Sequence, residues 1–205
     1  MIYFLVQYFL RPILLLTKNF KTYNIQMIPK NTGALIVCNH RNNFDPFVAT
    51  CSNFRFHFHY IAKKELFKNP ILSYILHSAG VIPVDREGID KNMIRESVGL
   101  LKKGKIVFIF GEGTRNKNQD IDLLPLKSGF SFIAAKAKVP VIPMYMFGVN
   151  NMFKSSLPRK KIRVYFGPQI SSQQPLKNIV DQTKTELLEL CKKGKGEYYG
   201  YEQSL

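Results

Sequence analysis

From Gly33 onward, short apolar runs alternate with stretches of helical spacing. Ala34 to Cys38, Phe56 to Ala62, Val81 to Val84, Ile106 to Phe110, Val139 to Phe147 and Ile162 to Phe166 have strand length and composition. Between them, Asp90 to Lys103 places Ile94, Val98 and Leu101 at helical spacing, with Asp90 positioned to cap the start and Gly104 just past the end. Phe130 to Lys138 and Asn178 to Lys193 also read as helices. Strands alternating with helices predict an α/β domain, with a mostly parallel central sheet flanked by helices. Pro140 and Pro143 cannot donate to a strand ladder, so the Val139 to Phe147 strand is expected at a sheet edge or to be irregular.

The first sixteen residues, MIYFLVQYFLRPILLL, form a different pattern. They are apolar except for Gln7, Arg11 and Pro12, and fall short of the roughly 20 residues that a spanning helix needs. No basic region precedes the apolar run and no small-residue cleavage site follows it, so a signal peptide is not expected. Tyr3, Phe4, Tyr8 and Phe9, followed by Arg11, Lys18 and Lys21, suit a helix lying at a membrane interface; the competing reading is a buried first helix. The expected organisation is a membrane-associating segment over 1–32, a domain over 33–195 and an irregular tail over 196–205.

The chain has 205 residues, enough for one domain with a sizeable core. It carries 30 Lys and Arg against 14 Asp and Glu, a formal charge of +16 that calls for an anionic partner. Arg11, Lys18, Lys21, Lys30 and Arg41 precede Phe44 without a single acid, and no acid lies between Leu123 and Val180. Cys38, Cys51 and Cys191 lack CxxC spacing, which argues against a disulfide framework or a zinc site.

Two loops hold candidate chemistry. The run ALIVC leads into Asn39-His40-Arg41-Asn42-Asn43-Phe44-Asp45-Pro46. If that loop doubles back, the Asp45 carboxylate holds one imidazole nitrogen of His40 and leaves the other free as a base. Alternatively, Asp45 caps the helix that Pro46 opens. The run KIVFIF leads into Gly111-Glu112-Gly113-Thr114-Arg115-Asn116, where glycines admit close backbone approach and Arg115 offers a planar fork for phosphate. The spacing is not that of a nucleotide-binding P-loop. Two further blocks are Gly80-Val81-Ile82-Pro83-Val84-Asp85-Arg86 and Val139-Pro140-Val141-Ile142-Pro143.

In their order, NHRNNFDP, IAKKELFKNP, GVIPVDR, FGEGTR and VPVIP resemble the motifs of the glycerolipid acyltransferases, the 1-acyl-glycerol-3-phosphate acyltransferase family, over about Gly33 to Pro168. The resemblance implies an enzyme at a membrane surface that moves an acyl chain from a thioester to the free hydroxyl of a lysophospholipid. It implies that His40 is the general base and Asp45 its orienting partner. Glu112, Gly113, Thr114, Arg115 and Arg86 would bind the phosphoglycerol, Lys63 would stand near the reacting carbonyl or the acceptor phosphate, and Pro140 would shape the last motif, VPVIP. Asn42, Gly111 and Asn116 stand where the family more often has Ser or Thr, Pro, and Ser.

The implied partners are anionic membrane lipids, a lysophospholipid acceptor, and acyl-CoA or acyl carrier protein as co-substrate, at the cytoplasmic face of a membrane. No resident cofactor, metal or nucleic acid is expected. No GxSxG occurs, and with the acceptor hydroxyl as nucleophile none is needed. Cys38 is a rival nucleophile. A lipid hydrolase, or a basic nucleic-acid-binding protein reading the FRFHFHY run as a stacking platform, are the alternatives.

Overall fold

The computed structural model describes residues 2–149 and 161–199. Six α-helices and seven strands follow in the order α1 (Ile2–Lys18), β1 (Lys21–Tyr23), β2 (Ala34–Cys38), α2 (Asp45–Cys51), β3 (Phe58–Lys63), α3 (Pro70–Ser78), β4 (Ile82–Val84), α4 (Lys91–Lys102), β5 (Ile106–Phe110), α5 (Gly129–Ala137), β6 (Val141–Phe147), β7 (Arg163–Phe166) and α6 (Leu176–Tyr199). All strands join one sheet in the order β1-β7-β6-β2-β5-β3-β4. Every pairing is parallel except β6 with β7. The parallel α/β expectation is therefore met. Within the stretch expected to be an irregular tail, α6 continues through Tyr199.

The central strands are buried on both faces, which is why they read as unbroken apolar runs. Alternate side chains feed two cores. Ala34, Ile36, Phe58, Phe108 and Met144 pack with Tyr3, Leu14, Val48 and Ala49 from α1 and α2, and with Leu76 of α3. Leu35, Val37, Val107, Val141 and Tyr145 pack with Val98, Leu101, Phe130, Ile133 and Leu187 from α4, α5 and α6. As expected, Asp90 caps α4, accepting from the amides of Asn92 and Met93. Gly33 has a packing reason as well: a Cβ there would lie 2.1 Å from the Leu101 carbonyl oxygen at the end of α4.

One expectation fails. Despite Pro143, β6 is interior, between β2 and β7. Pro143 pairs with Val37 of β2, and its carbonyl accepts from the Gly167 amide at 2.8 Å. The ring nitrogen lies beyond the β6–β7 ladder, which begins at Met144 and Phe166, so no ladder bond is lost.

The two layers of helices have different surfaces. Above α1, α2 and α3, large apolar side chains stand in the open, among them Phe4, Tyr8, Phe9, Leu16, Phe54, Ile71 and Tyr74. The α4–α6 side exposes Lys91, Arg95, Lys102, Lys184, Lys192 and Lys193 instead. The first helix packs one side on the core, through Tyr3, Gln7 and Leu14, and leaves large apolar side chains exposed on the other. Among the described residues, no helix is long and apolar enough to cross a membrane.

Candidate active site

Because β2, β5, β3 and β4 run parallel and adjacent, their C-terminal ends line one edge of the sheet. The residues singled out in the sequence leave from those ends. Asn39 is the first beyond β2. Its buried side-chain amide donates to the Met146 carbonyl at 3.1 Å and accepts from the Met146 amide at 2.8 Å, which pins the loop that follows to β6.

His40 comes next. Its Nδ1 lies 2.8 Å from Asp45 Oδ2, with the His40 side chain 15% exposed and that of Asp45 2%. The same carboxylate oxygen accepts from the amides of Arg41 at 2.7 Å and Asn42 at 2.8 Å. Asp45 therefore closes the loop behind it and does not cap α2; it sits inside the first turn, and Phe44 occupies the cap position. An ionised Asp45 places the imidazole proton on Nδ1, leaving the Nε2 lone pair as the acceptor. The ring also lies on Phe110, with centroids 3.9 Å apart and planes 17° apart.

The loop after β5 is bound to this turn at several points. Glu112 Oε1 accepts from the His40 amide at 2.6 Å, and Oε2 accepts from the Leu124 amide at 2.8 Å. Burial raises the Glu112 pKa, while these two amides and the charges of Arg41 and His40 pull it down. The Asn116 amide donates to the His40 carbonyl at 2.7 Å, and the Gly111 amide to the Cys38 carbonyl at 2.9 Å. Arg41 reaches three more carbonyls of the same loop: Asn118 at 3.3 Å, Ile121 at 2.6 Å and Asp122 at 2.9 Å. Gly113 has a φ of +69°, and a Cβ there would meet Lys127 Cγ at 3.1 Å.

Thr114 and Arg115 are exposed at this edge. The Arg115 guanidinium has no hydrogen bond or ion pair among the described residues. Lys63, also exposed, ends β3, and Arg86 follows β4. At about 4.8 Å per strand these ends stand roughly 10 and 14 Å across the sheet from that of β2. The structure thus brings His40, Asp45 and the Glu112–Arg115 loop into direct contact, and sets Lys63 and Arg86 along the same edge without touching them. A pocket of about 630 Å³ beside β4, walled by Lys64, Asp85, Asp90 and Lys91, contains none of the expected catalytic or substrate-binding residues.

Three further observations bear on chemistry. Cys38 is fully buried, and burial, together with the charges of Asp45 and Glu112, raises its pKa well above the ordinary thiol value. It is no rival nucleophile. Among the described residues, no group of three or more His, Cys, Asp or Glu side chains gathers as a metal ligand set. The sequence reading missed Arg41 and Asn116. Arg41 follows the base directly in the motif, and that position was the available signal.

A parallel α/β sheet carrying a His–Asp pair at the end of one central strand and a glycine-rich loop with an open arginine at the end of its neighbour defines a class of group-transfer enzymes. Residues 19–147 match the family described as Acyltransferase. The chain belongs to that acyltransferase family. It is 37% identical over 158 residues to 1-acyl-sn-glycerol-3-phosphate acyltransferase of Bacillus subtilis, covering 77% of each chain. It is 27% identical over 177 residues to the protein of that name from Streptococcus pneumoniae, covering 82% of this chain and 64% of the other. Among solved structures, it resembles the 1-acyl-sn-glycerophosphate acyltransferase PlsC of Thermotoga maritima with a TM-score of 0.70 at 22% identity, covering 92% of this chain and 79% of that one. That likeness speaks for the fold.

Proposed function

We propose that the enzyme transfers a fatty acyl chain from an acyl thioester to the free hydroxyl of 1-acyl-glycerol 3-phosphate, giving phosphatidic acid. The observation that carries this reading is an imidazole oriented through Nδ1 by a buried carboxylate, beside a loop whose arginine has no hydrogen bond or ion pair among the described residues. The names borne by the relatives supply the acceptor. In the reaction, Nε2 takes the proton of the acceptor hydroxyl as its oxygen attacks the thioester carbonyl. The tetrahedral intermediate collapses with cleavage of the C–S bond, and the thiolate leaves with the proton returned from the imidazolium. No enzyme nucleophile is needed. Arg115 holds the acceptor phosphate, with Arg86 and Lys63 further along the edge, and Glu112 acts through the backbone of His40.

The donor is acyl-CoA or acyl carrier protein. The enzyme works peripherally on the cytoplasmic face of a membrane, held there by the apolar outer side of α1 and by cations such as Arg11 and Arg55.

The test is to supply purified protein with a labelled acyl thioester and a panel of lysophospholipids and glycerol 3-phosphate. Labelled phosphatidic acid formed from 1-acyl-glycerol 3-phosphate is expected. Release of free fatty acid alone, whatever the acceptor, would make the protein a hydrolase instead. Within that assay Arg115→Lys keeps the charge and loses the bidentate fork, so the acceptor KM should rise about tenfold with the thioester KM unchanged. A change confined to the thioester KM would assign this loop to the donor.

A further inference from the structure

α3 has an unusual surface for a helix of a folded domain. None of its nine residues, PILSYILHS, is buried. Ile71 is 73% exposed and Tyr74 72%, and Leu72, Ile75 and the neighbouring Leu66 are exposed as well. It is nevertheless well anchored. Asn69 caps it through the amides of Ile71 and Leu72, and His77 in its last turn meets the Phe67 ring edge-on. Just past its end, His57 Nε2 lies 2.8 Å from the Ala79 carbonyl and His59 Nδ1 3.0 Å from that of Gly80. Leu76 and Ala79 pack on the core below. An ordered helix that keeps its large apolar residues in the open marks a contact surface.

Charge and placement indicate what covers it. The helix carries no acid; Lys63, Lys64 and Lys68 lead into it, with Glu65 the single acid among them. Beneath the surface, α3 is also tied to α1. Tyr3 at the start of α1 stacks on His57, with centroids 4.1 Å apart and planes 14° apart, and His57 reaches the end of α3. Apolar side chains rimmed by lysines, on the same layer as a second helix with an exposed apolar side, match the acyl–headgroup boundary of an anionic bilayer.

We infer that α3 is a second bilayer-inserting element, with Ile71 and Tyr74 at its tip. The inference rests on the membrane reading of α1 proposed above. Two insertions on one layer of the molecule fix its orientation on the lipid, which one helix cannot do. The inserted crossover also joins β3 to β4, the strands whose ends present Lys63 and Arg86.

The chain has no tryptophan, which gives a clean reporter. Three single variants of the full chain are compared with and without anionic phosphatidylglycerol vesicles: Tyr74→Trp on α3, Phe9→Trp on α1 and Phe132→Trp on α5. The expected result is a blue-shifted emission, quenched by lipids brominated along the acyl chain, for the first two and no change for the third. In parallel, Ile71→Ser combined with Tyr74→Ser should weaken vesicle binding about tenfold. Its circular dichroism and its turnover on a water-soluble short-chain acceptor should be unchanged. If the tryptophan at 74 stays in water while that at 9 shifts, α3 does not insert and attachment through α1 stands alone. If neither shifts, the membrane reading itself falls. A tryptophan at 74 already shielded without vesicles, in a protein that sediments as a dimer, would make this surface an interface between copies and overturn the inference.

Discussion

His40→Ala is expected to lower kcat by at least about 10², with the far-ultraviolet spectrum and melting temperature close to those of the parent. The side chain is mostly covered, but its replacement leaves the backbone bonds to Glu112 and Asn116 in place, so the loops should keep their arrangement. Asp45→Asn should be nearly as severe, through a different route. Asp45 Oδ2 serves the imidazole and two backbone amides together. An amide oxygen in the Oδ2 place accepts the same bonds without the charge that stabilises the imidazolium, and a reversed amide removes the acceptor from ring and turn alike. Radiolabelled product formation under saturating thioester and acceptor measures both variants. A folded His40→Ala that turns over at the parent rate would remove the imidazole from the chemistry.

Glu112→Gln is expected to lower kcat about 10- to 100-fold while leaving the acceptor KM within about twofold. Each carboxylate oxygen accepts a separate backbone amide, from His40 and from Leu124. Glutamine can satisfy one and must turn its NH2 toward the other, leaving a buried donor unpaired at a cost of about 1–3 kcal/mol. The base then shifts relative to the substrate, and a misplacement near 1 Å is enough for such a loss. Steady-state kinetics with acceptor and thioester varied independently decide the matter. A raised acceptor KM at unchanged kcat would mean that the carboxylate touches the phosphoglycerol, as the family resemblance implies.

Where the chain is apolar on both sides, as in β2 and β5, its pattern alone located the strands, because burial on two faces leaves no polar alternation to misread. The His–Asp pair was legible through the family resemblance; the spacing alone left Asp45 equally suited to capping the helix that Pro46 opens. Other features had no local signal. The inward placement of β6 depends on where β7 ends, at Phe166, far along the chain from Pro143. α3 escaped notice because most of its large apolar residues face outward and polar Ser73 lies on the inner side with Leu76, against the usual helical pattern. The resemblance implies that Glu112 binds substrate, and residue type does not say which way a carboxylate turns; only the fold shows it turned inward, onto the amide of His40. Arg41 is a similar case, its guanidinium reaching 77 to 81 residues along the chain.

On the mechanism proposed above, the stacking of His40 on Phe110 has a consequence for the fate of the thioester. One face of the imidazole is covered by a benzene ring and one nitrogen is held by a carboxylate, so a proton can leave a nucleophile only toward Nε2. That nitrogen is the position an acceptor hydroxyl must itself fill. A seated acceptor and an attacking water therefore exclude one another. Wasteful loss of the acyl group is confined to the interval when the acceptor place stands empty, and the ratio of phospholipid to free fatty acid among the products becomes a direct reading of acceptor occupancy.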